Sequence, residues 1–295
     1  MTKVAVVAHA GKTFGGGLAE LRSELAKHGI DKPLWFEVPK SRKAPKRVKQ
    51  ALDQGAELIV AWGGDGTVQR CLDVMAGGEA TLAVIPAGTA NLFASNLGIP
   101  KDIAEAVEIA LGGTSRKLDV GRMQGECFGV MAGAGLDARM IRDADGGLKD
   151  RLGRLAYVWT GLKNARASAF RAKIQVDGQQ WYEGEASLVL AGNLGEVFAG
   201  VEAFENADPD DGRLDLGIVH AEGLVEWART ATRAAIGKMS DSPFVQQTTA
   251  QTIEVKLDRK VPYELDGGER DPVKRFEIEV EPAAIEVRVP GAAKS

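Results

Sequence analysis

Up to about residue 122, short apolar runs alternate with segments whose apolar positions recur every three or four residues. The runs are 4–8, 34–38, 58–62 and 82–85; the periodic segments are 18–28, 44–54, 68–76, 90–97 and 103–111. The first kind reads as buried strand and the second as amphipathic helix. Strand and helix in turn predict a doubly wound, Rossmann-like α/β domain, its mostly parallel sheet covered on both faces. After Leu118 the runs become shorter and turn residues more frequent. Segments 172–176 and 181–183 flank an Asp177-Gly178 turn, and 186–191, 214–219, 252–257 and 275–280 continue the series, which predicts an antiparallel β-sandwich. Helices are expected at 149–165 and 224–236. Residues 4–10 imitate a short signal sequence, but seven apolar residues are marginal for that role. The glycine-rich loop and amphipathic segment after them suit a first βα unit better.

Two strand ends carry chemistry. Run 58–62 ends in Gly63-Gly64-Asp65-Gly66-Thr67 and passes into a helical segment. Glycines let the backbone approach a ligand, and the free amides at a helix start favour an anion, most simply a phosphate. Asp65 would repel a bare phosphate, so a hydrated cation between the two is expected, as in magnesium-nucleotide sites. Run 82–85 ends in a second such turn, Pro86-Ala87-Gly88-Thr89-Ala90-Asn91. Neighbouring strands of a parallel sheet open into one crevice, so both turns should face it. A third glycine loop, from His9 to Gly17, follows the first strand and contributes Gly11, Lys12 and Thr13 as further phosphate candidates, with His9 as a weak one.

Composition narrows the classes. With 44% hydrophobic and 26% charged residues and a net charge of -4, the 295-residue chain reads as globular, with nucleic acid an unsuitable main partner. Cys71 and Cys127 lack CxxC spacing, which suits a reducing cytoplasm. No stretch approaches the ~20 apolar residues of a membrane span, so any lipid is expected to be met at a surface. Lys40, Arg42, Lys43, Lys46, Arg47 and Lys49 form a basic run that suits a solvated helix start or anionic lipid, to which the resemblance described next adds a nucleotide contact, through Lys43.

GGDGT followed by PxGTxN resembles the catalytic domain of diacylglycerol kinases, the superfamily that also holds sphingosine kinases and bacterial lipid kinases. The resemblance continues through Leu118-Asp119-Val120-Gly121, Gly133-Ala134-Gly135-Leu136-Asp137, Asp211-Gly212-Arg213-Leu214-Asp215 and Leu265-Asp266-Gly267. It implies a phosphofructokinase-like nucleotide domain over 1–122, completed by 282–295, and a β-rich lipid-substrate domain over 123–281. The implied activity is transfer of the γ-phosphate of ATP to a diacylglycerol-like hydroxyl with Mg2+, at the inner face of the membrane. Gly63, Gly64, Asp65, Gly66, Thr67, Gly88, Thr89 and Asn91 would meet the nucleotide. Asp211, with the backbone carbonyls of Asp208 and Arg213, would hold a second, structural magnesium.

Three departures stand out. The first loop lacks the family's Asn-Pro-x-x-Gly turn, and Leu92 replaces an aspartate common after the asparagine. The family's Asp-Gly-Glu appears as Asp266-Gly267-Gly268-Glu269, leaving Glu269 as the expected general base and Asp266 as its alternative, with Asp65 as a further catalytic candidate. An NAD kinase-like enzyme and a catalytically lapsed nucleotide- or lipid-binding regulator are the competing readings, and a homodimer is a candidate assembly.

Overall fold

A computed structural model describes residues 2–135, 169–198, 201–221 and 238–291, with positions 226, 229, 230, 232 and 233. The helix expected at 149–165 and most of that at 224–236 lie outside the described residues, as do Leu136 and Asp137. The chain forms two compact units, 1–120 with 282–295, and 121–281.

The first unit runs β1 (Val4–His9), α1 (Gly17–Lys27), β2 (Leu34–Val38), α2 (Ala44–Asp53), β3 (Leu58–Gly63), α3 (Asp65–Met75), β4 (Thr81–Pro86), α4 (Leu92–Asn96) and α5 (Ile103–Gly112). Its strands are parallel in the order β2-β1-β3-β4. Every residue of β3 and β4 is buried, which accounts for their unbroken apolar runs. The chain leaves β1 for a neighbour on one side and later returns to its other side. The sheet therefore reverses its order between β1 and β3, the kind of point at which open α/β sheets bind ligands.

Helix α3 starts at Asp65, inside the glycine turn and three residues earlier than the periodicity predicts. An acidic residue in a first turn meets the positive end of the helix dipole, so the turn and the helix start are one structure. Helix α5 begins conventionally, with the Asp102 carboxylate accepting from the Glu105 amide at 2.9 Å.

Strand β5 (Thr114–Met123) leads into the second unit, which continues with β6 (Glu126–Phe128), β7 (Met131–Ala134), β8 (Phe170–Val176), β9 (Gln179–Ala186), β10 (Leu188–Gly192), β11 (Glu196–Phe198), β12 (Val201–Glu202), β13 (Leu214–Val219), β14 (Val245–Ala250), β15 (Thr252–Leu265) and β16 (Gly268–Val289). Pairing within this unit is antiparallel, in the order β14-β13-β10-β7-β15-β16. Strand β15 pairs first with β8 and then with β7, and so serves both layers of a β-sandwich. Phe128, Phe170, Ile174, Ile218, Leu265 and Phe276 fill its core. Gly121 lies under the Phe128 ring, where a Cβ would come within 1.9 Å of it.

The end of β16 pairs in parallel with β4 in the first unit, Glu286 opposite Thr81 and Val287 opposite Leu82. Asp119 of the LDVG motif secures this return by accepting from the Ala283 amide at 2.7 Å.

Candidate functional site

In the first unit, the loops after β3 and β4 touch through their glycines. A Cβ on Gly88 would lie 2.5 Å from the Gly64 Cα, and one on Gly64 would lie 3.0 Å from the Gly88 Cα. Only residues without side chains allow two backbones so close. The second loop is clasped by Asn91, a left-handed residue (φ 54°), whose Oδ1 accepts from the Gly88 amide at 2.8 Å. Its Nδ2 donates to the Gly88 carbonyl at 3.0 Å. Asn91 thus shapes the loop from inside, while Thr89 and the α3 residue Gly66 are exposed.

Asp65 spans the two loops. Its Oδ1 accepts from the Phe93 amide in α4 at 3.0 Å. Burial raises its pKa above the ordinary value, and the amides of Phe93, Asn91 and Leu92 work in the opposite direction. The negative charge sits among backbone dipoles, an arrangement a hydrated cation would favour.

Thr67 is buried, and its hydroxyl lies 3.1 Å from that of Ser41, which opens the 3-10 turn Ser41–Lys43. This contact carries the start of the basic run to the GGDGT turn, with Lys43 exposed. Lys101 donates to the Gly88 carbonyl at 3.0 Å and stands 5.2 Å from the Phe14 ring of the first glycine loop. Sequence reasoning missed Ser41 and Lys101, because both act through contacts between distant positions.

In the first glycine loop, the Gly11 amide donates to Nδ1 of His9 at 3.1 Å, and the Lys12 amide to the His9 carbonyl at 3.0 Å. Burial lowers the His9 pKa and Lys12 adds to the effect, which keeps Nδ1 free to accept. The Lys12 carbonyl accepts from the indole of Trp62 at 3.3 Å. This loop is therefore held partly by its own amides, while Gly11 and Thr13 remain exposed.

In the second unit, Asp266 and Gly267, both at positive φ, turn β15 into β16. The two Asp266 oxygens accept from the amides of Gly129, Val130 and Met131 at 2.8, 2.9 and 2.9 Å. Asp266 is thereby the anchor of the segment that enters β7. Asp266→Ala would strand three buried donors, at about 1–3 kcal/mol each. A thermal-unfolding midpoint lowered by about 10 °C or more is expected, given ~2–4 °C per kcal/mol in domains of this size; an unchanged midpoint would contradict the anchoring role.

Glu269 is exposed, directly opposite Glu264 on the partner strand. Glu264 is only 1% exposed, and among the described residues neither of its carboxylate oxygens has a hydrogen-bond partner. Burial first, then the charges of Asp266 and Glu269, push its pKa up to about 8.

In the acidic turn, Oδ1 of Asp211 accepts from the Arg213 amide at 2.8 Å. The Arg213 guanidinium bonds Thr249 and pairs with Asp177 at 3.0 Å, so only the Arg213 carbonyl is suited to a cation. Asp215 is pushed up to about 6, by burial and then by the Asp211 charge. Two carboxylates in that relation fit a hard cation. Among the described residues no three His, Cys, Asp or Glu side chains gather as a metal cage. An ion here would be bound mostly by backbone carbonyls and water.

Two amide-bearing loops converge at the ends of adjacent parallel strands with one acid between them, an arrangement suited to phosphate. Comparison with known proteins identifies the family. Residues 4–123 match the model of the diacylglycerol kinase catalytic domain, and 130–289 match the YegS C-terminal NAD kinase beta sandwich-like domain. Diacylglycerol kinase of Bacillus subtilis is 34% identical over 232 residues, 76% of this chain and 75% of its own. A Cronobacter sakazakii protein named "Probable lipid kinase YegS-like" is 30% identical, over 84% of this chain and 83% of its own. The crystal structure of a diacylglycerol kinase from Bacillus anthracis superimposes with a TM-score of 0.75 at 24% identity, covering 97% of this chain and 96% of that one. The chain belongs to the diacylglycerol kinase and YegS-type lipid kinase family, and it carries that family's catalytic domain. Among the described residues no helix is long and apolar enough to cross a membrane.

Proposed function

We propose that the protein transfers the γ-phosphate of magnesium-bound ATP to a hydroxyl of a diacylglycerol-like lipid. The observation that carries this reading is the contact between the Gly64 and Gly88 backbones around Asp65, in a chain of this family. Amides from Gly64 to Thr67 and the Thr89 hydroxyl would hold the phosphates, with Lys43 and the loop from His9 to Thr13 as further contacts. Asp65 would hold magnesium through water, and the metal would spread the charge of the transferring group. Asp211, with the carbonyls of Asp208 and Arg213, would bind a second ion as a brace for its turn. Glu269, with Asp266 as its alternative, would take the proton of the attacking hydroxyl. The exposed basic residues Lys40, Arg42, Lys43, Lys46 and Lys49 suit an anionic lipid surface, at ~1 kcal/mol each.

The test is incubation with γ-labelled ATP and magnesium in mixed micelles containing diacylglycerol, phosphatidylglycerol, sphingoid or polyprenol acceptors. Label is expected in a lipid, diacylglycerol foremost. Label in no lipid, or appearance of NADP when NAD is supplied, would overturn the proposal. An NAD kinase from Archaeoglobus fulgidus shares the fold, with a TM-score of 0.53 at 11% identity, which makes the NAD arm the informative control.

A further inference from the structure

We propose that Lys101 is a positioning residue of the nucleotide site, tying the loop after β4 to the loop after β1 so that both stand ready for a triphosphate. The inference rests on the reading of these loops as an ATP site, and every residue it uses belongs to the first unit.

Lys101 lies in the short connection between α4 and α5, whose backbone is pinned on both sides. Gly98, at φ 69°, ends α4; its amide donates to the Ser95 carbonyl at 3.0 Å, and the Ile99 amide donates to the Ala94 carbonyl at 2.9 Å. On the other side Asp102 caps α5. Ile99 and Ile103 are buried, while Lys101 between them is exposed. A cation beside a helix start faces the positive end of the dipole, so α5 gains nothing from this charge. The ammonium is engaged by two loops instead.

One is the loop after β4. Nζ of Lys101 donates to the Gly88 carbonyl at 3.0 Å, and the same oxygen accepts from Nδ2 of Asn91 at 3.0 Å. Both lone pairs of that carbonyl are then used. The Gly88 amide donates in turn to Oδ1 of Asn91. Gly88 is thus held through its amide and its carbonyl, and Thr89, the next residue, is exposed. The other is the loop after β1. The ammonium stands 5.2 Å from the centroid of the Phe14 ring, within the range of a cation–π contact. One residue on, at Gly15, an added Cβ would lie 3.0 Å from Cδ1 of Ile103, so this loop also rests on the start of α5.

Strand β3 lies between β1 and β4, so these two loops are not neighbours by strand order. The loop after β3 already meets the loop after β4 through Gly64 and Gly88, and Trp62 near the end of β3 donates its indole to the Lys12 carbonyl in the first loop. Lys101 closes the circuit. A long side chain held at two points gives up rotamer freedom, and in return three glycine loops are kept in one arrangement. Apparent affinity falls with the fraction of molecules in the competent arrangement, so a residue that maintains it acts on nucleotide binding.

The experiment titrates wild type, Lys101→Met, Lys101→Arg and Phe14→Leu with ATP and magnesium in a calorimeter, beside a thermal melt of each. Lys101→Met keeps an apolar stem and loses the donor and the charge; its Kd is expected to rise about tenfold. Its melting midpoint should stay within about 2 °C of wild type, because the side chain is exposed. Lys101→Arg retains a donor and a cation for the ring and should bind within about threefold of wild type. Lys32→Met, which removes an exposed charge elsewhere in the same unit, should bind as wild type does. Phe14→Leu is expected to weaken binding by about fivefold. Combined with Lys101→Met, it should cost much less than the product of the two single effects, since both break one tie.

A Lys101→Met affinity within about twofold of wild type would overturn the inference. So would an equal loss in Lys32→Met, which would reduce the effect to bulk charge, or a midpoint lowered by more than about 5 °C, which would make Lys101 a packing residue. Full multiplication of the Phe14→Leu and Lys101→Met effects would show two separate contacts and no tie. Calorimetry needs no lipid, so a wild type that binds ATP and labels no acceptor would sink the lipid kinase reading and leave this comparison intact. A wild type that binds no ATP would sink both.

Discussion

Gly88→Ala is expected to reduce ATP affinity at least tenfold and to destabilise the first unit. The new methyl would lie 2.5 Å from the Gly64 Cα, 2.7 Å from Oδ1 of Asn91 and 3.2 Å from the Gly64 nitrogen. Two of those atoms are backbone and cannot swing aside, so the loops must separate. Separation opens the Asn91 clasp, two hydrogen bonds worth about 1 kcal/mol each, and overpacking adds ~1–3 kcal/mol. Gly112→Ala is the control. Nothing lies within 4 Å of its added Cβ, its φ is ordinary, and it ends α5, so it should leave nucleotide affinity unchanged. Calorimetric titration with ATP and magnesium reads both variants. Equal affinities in Gly88→Ala and wild type would mean that the contact between the loops has no part in binding.

Asp65→Asn is expected to lower kcat by about 100–1,000-fold, the scale of losing one electrostatic partner of the transition state. The fold should survive, because an asparagine oxygen can still accept from the Phe93 amide that Asp65 holds at 3.0 Å. Stability should not fall. The folded Asp65 pKa lies above its ordinary 3.8, so ionisation opposes folding, and that opposition persists at pH above both values. A neutral side chain removes it. Undiminished turnover in Asp65→Asn would reduce the residue to a cap for α4.

The alternation of apolar runs and periodic segments made most of the first unit legible. Strand β2 spans 34–38 as expected, and the other strands and most helices fall within a residue or two, because buried parallel strands have no polar positions to interrupt them. The long hairpin was harder to read. Strands β15 and β16 reach Leu265 and Val289 from the expected 252–257 and 275–280, since charged outward positions and Pro262 hide their continuation. The pairing of Glu286 with Thr81 joins residues about two hundred positions apart, and periodicity carries no signal for it.

At the site, the glycine loops were legible from their spacing because they follow adjacent strands. The side chains that shape them were not. The two bonds from Asn91 to Gly88 and that from Lys101 to the same residue depend on how the backbone folds. Glu264 was hidden by alternation itself, which assigns a polar residue between Tyr263 and Leu265 to solvent.

The most direct test of the whole account is a crystal structure with a non-hydrolysable ATP analogue and magnesium. The triphosphate is expected against the amides of Gly64 to Thr67 and the Thr89 hydroxyl, with a hydrated magnesium ion beside Asp65. A triphosphate bound away from both glycine loops, or Asp65 with no ion near it, would contradict the account.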